Sequence, residues 1–557
     1  MVLDSIKLSI PNALIGILQV LRLHGFEGCI VGGYVRDSIC RILHHKNMPN
    51  QDFSSKNFIN HNLLHETSKR TILNTLQDTK LKFTPKDWDI ATNAKPSEVL
   101  EIFGFYNAYF KIIKLGIKYG TLGIRPLFTN DVGLIEITTY RIEGKYSDSR
   151  RPDNVIFTTS LQKDLARRDF SMNAIAFILQ DDDSKEPQEY FTQDHCDINM
   201  RICDYFSGVE SIKQKEIICV GDANMRFSED ALRIMRALRF GAVLQPRFDI
   251  SKDTKLAIIA CKRNLAHISK ERILHEYNIM LLGSHVTSIA IDYRQVLEII
   301  YPELSLMSKQ QYYINMLALS HAPNILNVRL AIFFYSIDSK HILAALKRMR
   351  YDSKTLRDIS KILALQNRSF PSSRFEIKES LGFAGEIIFK HYLQMLKAQA
   401  LALEELQNTS LDIEIEDFEL HKYKGMDISK YAINILEQDS KSKESSFKDK
   451  PKFSKAYSIA DIEYIEIQSY DIIKSSECFL LLHLPIDGND IMYLLDKQGI
   501  NDKKMIGKLL NELLYYAMKQ NMVSKQAKCK IYSKTEYSSM RDMLLDKARE
   551  MIISIGN

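Results

Sequence analysis

The chain begins with an apolar rhythm of helical period. The run "ALIGILQVLRL" (13–23) places apolar side chains on one face, behind the polar Asp4 and Lys7, and predicts a first helix packed on a core. In "GCIVGGYVRDSICRIL", Cys29 to Val31 predict a buried strand, Gly32-Gly33 a turn, and Val35 to Leu43 a helix. Pattern then fades through a polar, Asn/Ser/Lys-rich stretch from about 44 to 85, which predicts an insertion or long loop. Strand character resumes at "KDWDIAT" (86–92) and, by strict alternation, at "LIEITTYRI" (134–142). "SDSRRPDNV" predicts a loop, and "LARRDFSMNAIAFIL" (165–179) a helix with an apolar face. From about Val209 onward helical spacing dominates, broken by the charged, Ser-rich run "DSKSKESSFKDKPKFSK" (439–455), which predicts a linker. The pattern therefore predicts an α+β head with a small mixed sheet, followed by mostly helical parts. The expected divisions are a head over 1–205, a neck over 206–285, a body over 286–438 and a tail over 439–557.

Composition narrows the class. The 557 residues are 45% hydrophobic and 26% charged, as in ordinary globular proteins, and the formal net charge of +6 permits a nucleic-acid partner without demanding one. The eight cysteines include no C-x-x-C pair, and His195, Cys196 and Cys203 lack a fourth ligand at useful spacing, so no zinc site is expected. Scattered cysteines suit a reducing, cytoplasmic setting. No apolar run approaches the ~20 residues of a membrane span, so no membrane is expected as a partner.

The candidate chemistry lies in the head. A glycine pair between strand and helix, Gly32-Gly33, lets backbone amides approach a phosphate at a helix N-terminus, and Arg36 on the first turn could clamp the same group; alone these residues read first as a plain tight turn. In "DWD", strand alternation puts Asp87 and Asp89 on one side, where two carboxylates repel unless a cation lies between them. Glu136 would join them if its strand lies beside the "DWD" strand. Solvated surface acids are the alternative for all three. The double arginine Arg167-Arg168 reads as a helix start, where the macrodipole disfavours cations; an anionic ligand, or a salt bridge to Asp164 or Asp169, would relieve that.

One further stretch, "FSEDALRIMRALRF" (227–240), spaces an acid and three arginines by three: Asp230, Arg233, Arg236 and Arg239. Read alone it is an amphipathic helix with Ser228 as N-cap and a staple of Phe227 on Leu232.

Taken in order, "VGGYVRD", "KDWDIATNAKPSEV", "GIKYGT", "IEITTYRIEGKYSDSRRPD", "LARRDFSMNAIAF" and "GDANMRFSEDALRIMRALRF" resemble the bacterial tRNA nucleotidyltransferases of the second class, the CCA-adding enzymes, within the polymerase-β-like superfamily. The resemblance covers roughly residues 28–280, broken by the polar insertion, and returns weakly at "LPIDGNDI" and "GINDKKMIGKLLNELL". It implies a polymerase-β-like nucleotidyltransferase head. Asp87 and Asp89 fall on its metal-binding aspartates, with Glu136 on the third-carboxylate strand. Gly32, Gly33, Arg36 and Arg168 fall on nucleotide contacts, and Asp230, Arg233, Arg236 and Arg239 on a nucleotide-recognition helix.

The implied function is Mg²⁺-dependent addition of CCA to the 3′ end of tRNA from CTP and ATP, without a nucleic-acid template. Addition of CC or A alone, poly(A) synthesis and a catalytically inert RNA-binding protein are the alternatives. The full-length segment "RIEGKYSDSRRPDNV" favours a capacity for A addition. The long gap between "VRD" and "DWD" departs from the family pattern, and no His-Asp pair occurs in "NVRLAIFFYSIDSKHILAALKRMRY", so no phosphohydrolase activity is expected there. On the recognition stretch, Asp230 would accept from the exocyclic amine shared by cytosine and adenine, and Arg233 would donate to the adjacent ring nitrogen. Basic stretches such as "LKRMR" (346–350) and "KQNMVSKQAKCKIYSK" (519–534) are candidate tRNA contacts.

Overall fold

A computed structural model describes residues 5–44, 88–143, 155–180, 186–408, 457–500, 502–524 and 534–556. The polar insertion from residue 45, Asp87 and the linker at 439–455 lie outside the described residues. The chain divides into two compact units, Met1–Pro302 and Glu303–Asn557.

The first unit is built on an eight-stranded mixed sheet in the order β1-β10-β9-β2-β3-β6-β5-β4. These strands are β1 (Ser5–Pro11), β2 (Gly28–Val31), β3 (Trp88–Thr92), β4 (Phe110–Gly116), β5 (Thr121–Pro126), β6 (Ile135–Thr139), β9 (Ile175–Leu179) and β10 (His195–Asp204). Only β3 and β6 run parallel; the other neighbours are antiparallel. The short hairpin β7 (Arg141–Glu143) and β8 (Val155–Phe157) stands apart from the sheet.

The alternation read in β6 is present: Ile135, Ile137 and Thr139 are buried while Glu136 is exposed. The first predicted helix is α1 (Asn12–Leu23), whose Gly16 lies so close to Phe191 that a Cβ there would sit 2.9 Å from the ring. Helix α2 (Gly33–His44) follows β2 directly. Gly32, at the junction, has φ +81°, a left-handed conformation that glycine adopts without steric cost.

Two sequence readings are corrected. The stretch 165–179 is not one helix. Helix α3 (Leu161–Ala166) ends at Arg167, a 3-10 turn covers Ser171–Asn173, and Ile175–Leu179 is the sheet strand β9. Its apolar run is buried almost throughout, so it carries no alternation to mark it as a strand. The stretch 227–240 is likewise two helices, α4 (Ala223–Glu229) and α5 (Leu232–Val243). Asp222, not Ser228, caps the first, accepting from the Met225 amide at 2.8 Å. Asp230 sits between them in extended conformation and accepts from the Leu232 amide at 3.0 Å, at the start of the second helix.

On one face of the central strands, Cys29, Val31, Ala91, Leu161, Leu165, Ala174 and Ala176 form one apolar cluster with Tyr140 and Val220. Helix α6 (Lys270–Leu281) packs along α5.

The named elements of the second unit are all helices or 3-10 turns, in keeping with the periodicity read after Val209, with one isolated antiparallel bridge, Glu477 to Val523, among its described residues. Its C-terminal part has its own core, including Ile491, Leu495, Leu509, Leu513, Leu544 and Ile552. Within this unit the fully buried Lys378 donates to the Met518 carbonyl at 3.0 Å and pairs with Glu477, so its charge is compensated rather than stranded.

Candidate active site

Strand pairing brings the candidate carboxylates together. In the parallel β3-β6 pair, Asp89 is the register partner of Glu136, so both project from one face of neighbouring strands. On the other side of β3, Asp89 pairs with Val31, the last residue of β2, and Gly32 follows. A Cβ placed on Gly32 would lie 2.7 Å from Asp89 Oδ2. The glycine turn, the start of α2 and two carboxylates thus share one end of the central strands. Asp87 lies outside the described residues, and no group of three or more potential metal ligands occurs among the described ones. The Asp89 and Glu136 pair is nonetheless an all-oxygen donor set of the kind that hard divalent cations take.

Arg36, on the first turn of α2, donates to Asp37 (2.7 Å) and to the Asn173 side-chain oxygen (3.1 Å). Its guanidinium lies 5.2 Å from the centre of the Phe240 ring. Asn173 in turn donates to Asp169, which also accepts from the Phe170 amide and from Arg236 Nε at 2.7 Å. Burial alone would raise the Asp169 carboxyl. The Arg236 charge, with hydrogen bonds from Asn173 and Phe170, overcomes this and holds it down at about 2.

Arg236 also approaches Glu276, at 3.8 Å, and Arg239 Nε lies 3.0 Å from the other oxygen of that carboxylate, at an angle that makes no hydrogen bond. Burial lowers the Arg239 guanidinium to about 10, against the pull of Glu276. Arg36, Arg236 and Arg239 all surround the buried Phe240 ring.

The four residues read as one stripe therefore diverge. Asp230 precedes α5 and is held by Arg272, whose NH2 donates at 2.8 Å. Arg233 is buried, donating to Glu229 at 2.9 Å and to the Arg167 carbonyl at 2.9 Å. Arg236 and Arg239 turn to Asp169 and Glu276. Arg272 and Glu276, four apart on α6, were not read from the sequence, although "KERILHEY" shows an Arg and a Glu on one helical face.

The double arginine is at a helix end, not a start. Arg167 is the C-cap of α3, where the macrodipole favours a cation, and both Arg167 and Arg168 pair with the buried Asp164. Of the two partners considered for them, Asp164 is the one used.

Residues 74–218 match the family described as "Poly A polymerase head domain", and residues 247–307 the one described as "Probable RNA and SrmB- binding site of polymerase A". The first unit is thus similar to a poly A polymerase head over those residues. The resemblance read from the ordered motifs is borne out. Curated relatives of this head include CCA-adding enzymes of Anoxybacillus flavithermus (35% identical over 310 residues, 56% of this chain and 59% of the relative) and Leuconostoc mesenteroides (40% over 213 residues, 38% and 45%). A third is that of Lactococcus lactis (35% over 268 residues, 48% and 50%). The chain thus spans about half the length of the curated relatives it matches.

Among solved structures, the Bacillus stearothermophilus CCA-adding enzyme in complex with CTP shares the fold, with TM-score 0.55, 21% identity, and coverage of 97% of this chain and 98% of that one. An apo form of a CCA-adding enzyme does so at TM-score 0.51 and 16% identity, covering 95% of this chain and 94% of that one. No helix among the described residues is long and apolar enough to cross a membrane.

Proposed function

We propose that this chain adds CCA to the 3′ end of tRNA from CTP and ATP, by nucleotidyl transfer without a nucleic-acid template. The observation that carries this reading is the Asp89-Glu136 register beside the Gly32 turn, in a head whose curated relatives are CCA-adding enzymes. In the reaction the tRNA 3′-hydroxyl attacks the α-phosphate and pyrophosphate leaves. A divalent cation, proposed to be Mg²⁺, would activate that hydroxyl and neutralise developing charge. Asp87, Asp89 and Glu136 are the side chains assigned to hold it.

The remaining work falls to positioning and charge. The Gly32-Gly33 amides at the N-terminus of α2 face the triphosphate, with Arg36 and Arg168 as its clamps. Asp230 and Arg233 read the base. A carboxylate offers about four acceptor positions. The described donors to Asp230 are the Leu232 amide and the two guanidinium nitrogens of Arg272, which leaves room for an exocyclic amine. Arg236 and Arg239, turned to Asp169 and Glu276, orient α5 beneath that pair. A cytoplasmic setting fits this substrate, and the described cysteines are free thiols.

The test is incubation with tRNA lacking its 3′ end, supplied with CTP alone, ATP alone or both. Two added residues with CTP and three with both support the proposal. Long A tracts, or no release of pyrophosphate while tRNA still binds, would replace it by poly(A) synthesis or by an inert RNA-binding protein.

A further inference from the structure

Two arginines share one buried carboxylate beside the candidate nucleotide site, and they share it unequally. Asp164 has no solvent exposure. Its Oδ1 accepts from Arg167 Nε at 2.9 Å, Arg167 NH2 at 2.8 Å and the Arg141 amide at 3.2 Å. Its Oδ2 receives Arg168 NH2 at the longer distance of 3.3 Å.

Arg167 is fixed a second time through its backbone, because its carbonyl accepts from Arg233 NH2 at 2.9 Å. The preceding carbonyl, of Ala166, accepts from Arg226 NH2 at 2.8 Å. Among the described residues Arg168 has no such anchor. Its NH1 reaches the Asn173 carbonyl only at 3.5 Å, and its buried Nε has no hydrogen-bond partner among them. Asn173 is also where Arg36 ends, through the side-chain oxygen. The two arginines assigned to the triphosphate therefore converge on one residue.

A buried carboxylate that lost its single cation would stand uncompensated, which is strongly unfavourable. With two cations, one can leave while the other stays. We propose that Asp164 and Arg167 form a positioning clasp for nucleotide binding: Arg167 neutralises Asp164 permanently, so that Arg168 is released from its long contacts to a phosphate oxygen of the incoming triphosphate. Arg168 touches the nucleotide; Asp164 and Arg167 act through it. This inference rests on the proposed function.

The clasp makes an unusual forecast, that removing one charge harms and removing its partner repairs. In Arg167→Gln, Arg168 becomes the sole cation for Asp164 and is withheld from the nucleotide. The KM for CTP on tRNA lacking its 3′ end should rise about tenfold, with kcat at saturating CTP within about threefold of the unmodified chain. Adding Asp164→Asn removes the demand for a cation and should bring KM back to within about threefold of the starting value. A residue needed only for folding would instead lower the active fraction, and with it the apparent kcat, and leave KM unchanged. An unchanged KM in R167Q, or a double variant no better than the single one, overturns the clasp.

Should R167Q not fold, Arg167→Lys keeps the charge without the two-point fork and should raise KM about threefold; a KM equal to that of the unmodified chain then overturns the proposal. If the unmodified chain incorporates no nucleotide, the functional reading fails instead. The same variants are then compared by CTP binding in the presence of Mg²⁺, where the order of affinities must match. If the unmodified chain does not bind CTP, both readings fall.

Discussion

Asp89 occupies the space that any side chain on Gly32 would need: its Oδ2 lies 2.7 Å from the Cβ position of that glycine. Gly32 also holds φ +81°, which costs a non-glycine residue about 1–2 kcal/mol. Gly32→Ala is therefore expected to displace the Asp89 carboxylate and lower kcat/KM for CMP incorporation by roughly 100-fold or more. Gly33 is the control for folding. Its Cβ would meet only Arg36 NH2, at 3.7 Å, so Gly33→Ala should leave the thermal unfolding midpoint unchanged or slightly raised.

The register of Asp89 with Glu136 makes the metal assignment testable at each strand separately. Asp89→Ala should abolish turnover while tRNA binding stays within about twofold. Glu136→Gln, on the exposed position of β6, should lose less and recover partly as Mg²⁺ is raised. Incorporation assays across a Mg²⁺ titration, with filter binding of tRNA, separate the two. Near-normal turnover in Asp89→Ala would refute the assignment.

Base choice is expected to rest on Asp230. Asparagine keeps an oxygen that can accept from the Leu232 amide, but adds an amide donor in place of a carboxylate oxygen. Asp230→Asn should thus fold normally yet raise UTP incorporation relative to CTP by about tenfold or more. Competition of the four nucleotides on tRNA lacking its 3′ end measures this. Unaltered discrimination would remove Asp230 from base recognition.

The Asp169-Arg236 pair sets a pH dependence with a definite sign. Its carboxyl titrates at about 2 in the folded chain, below the ordinary carboxylate range, so the folded state favours the ionised form. Its contribution is complete above about pH 4 and is lost as pH falls through about 2; it amounts to about 2 kcal/mol. Asp169→Asn should be less stable than the unmodified chain at neutral pH, with a gap that narrows below about pH 4. Urea unfolding at several pH values tests this, and a constant gap would contradict it.

Binding of tRNA should weaken steeply with salt, because each phosphate neutralised by Lys or Arg releases counterions. A log-log plot of affinity against salt should be linear, with a slope of several units. A flat plot would exclude a binding surface built on basic residues.

Much of the site was legible because its chemistry sits on short-range patterns. The alternation of "LIEITTYR" located β6, and the Gly32-Gly33 pair located a strand-to-helix turn. What escaped depended on partners distant in sequence. Residues 175–179 read as helix because a strand buried on both faces has no polar beat. "SIKLSIP" does alternate, yet as β1 it gains meaning only from pairing with β10, some 190 residues away. The break at Asp230 was invisible because all spacings around it fit one helix. Only the Leu232 amide and Arg272 show why the chain turns there. Which of Asp164 and Asp169 would serve the double arginine was likewise a three-dimensional question.

The strand order has a consequence for where the molecule yields. Strands β2 and β3 are the fourth and fifth of eight, and β6 is the sixth, so all three are hydrogen-bonded on both sides. Their amides should be among the last in this unit to exchange with deuterated solvent, long after those of the edge strands β1 and β4. The carboxylates proposed to hold a cation are thus mounted on the part of the head expected to open least. The parts proposed to choose the nucleotide, at the junction between α4 and α5, lie outside the sheet.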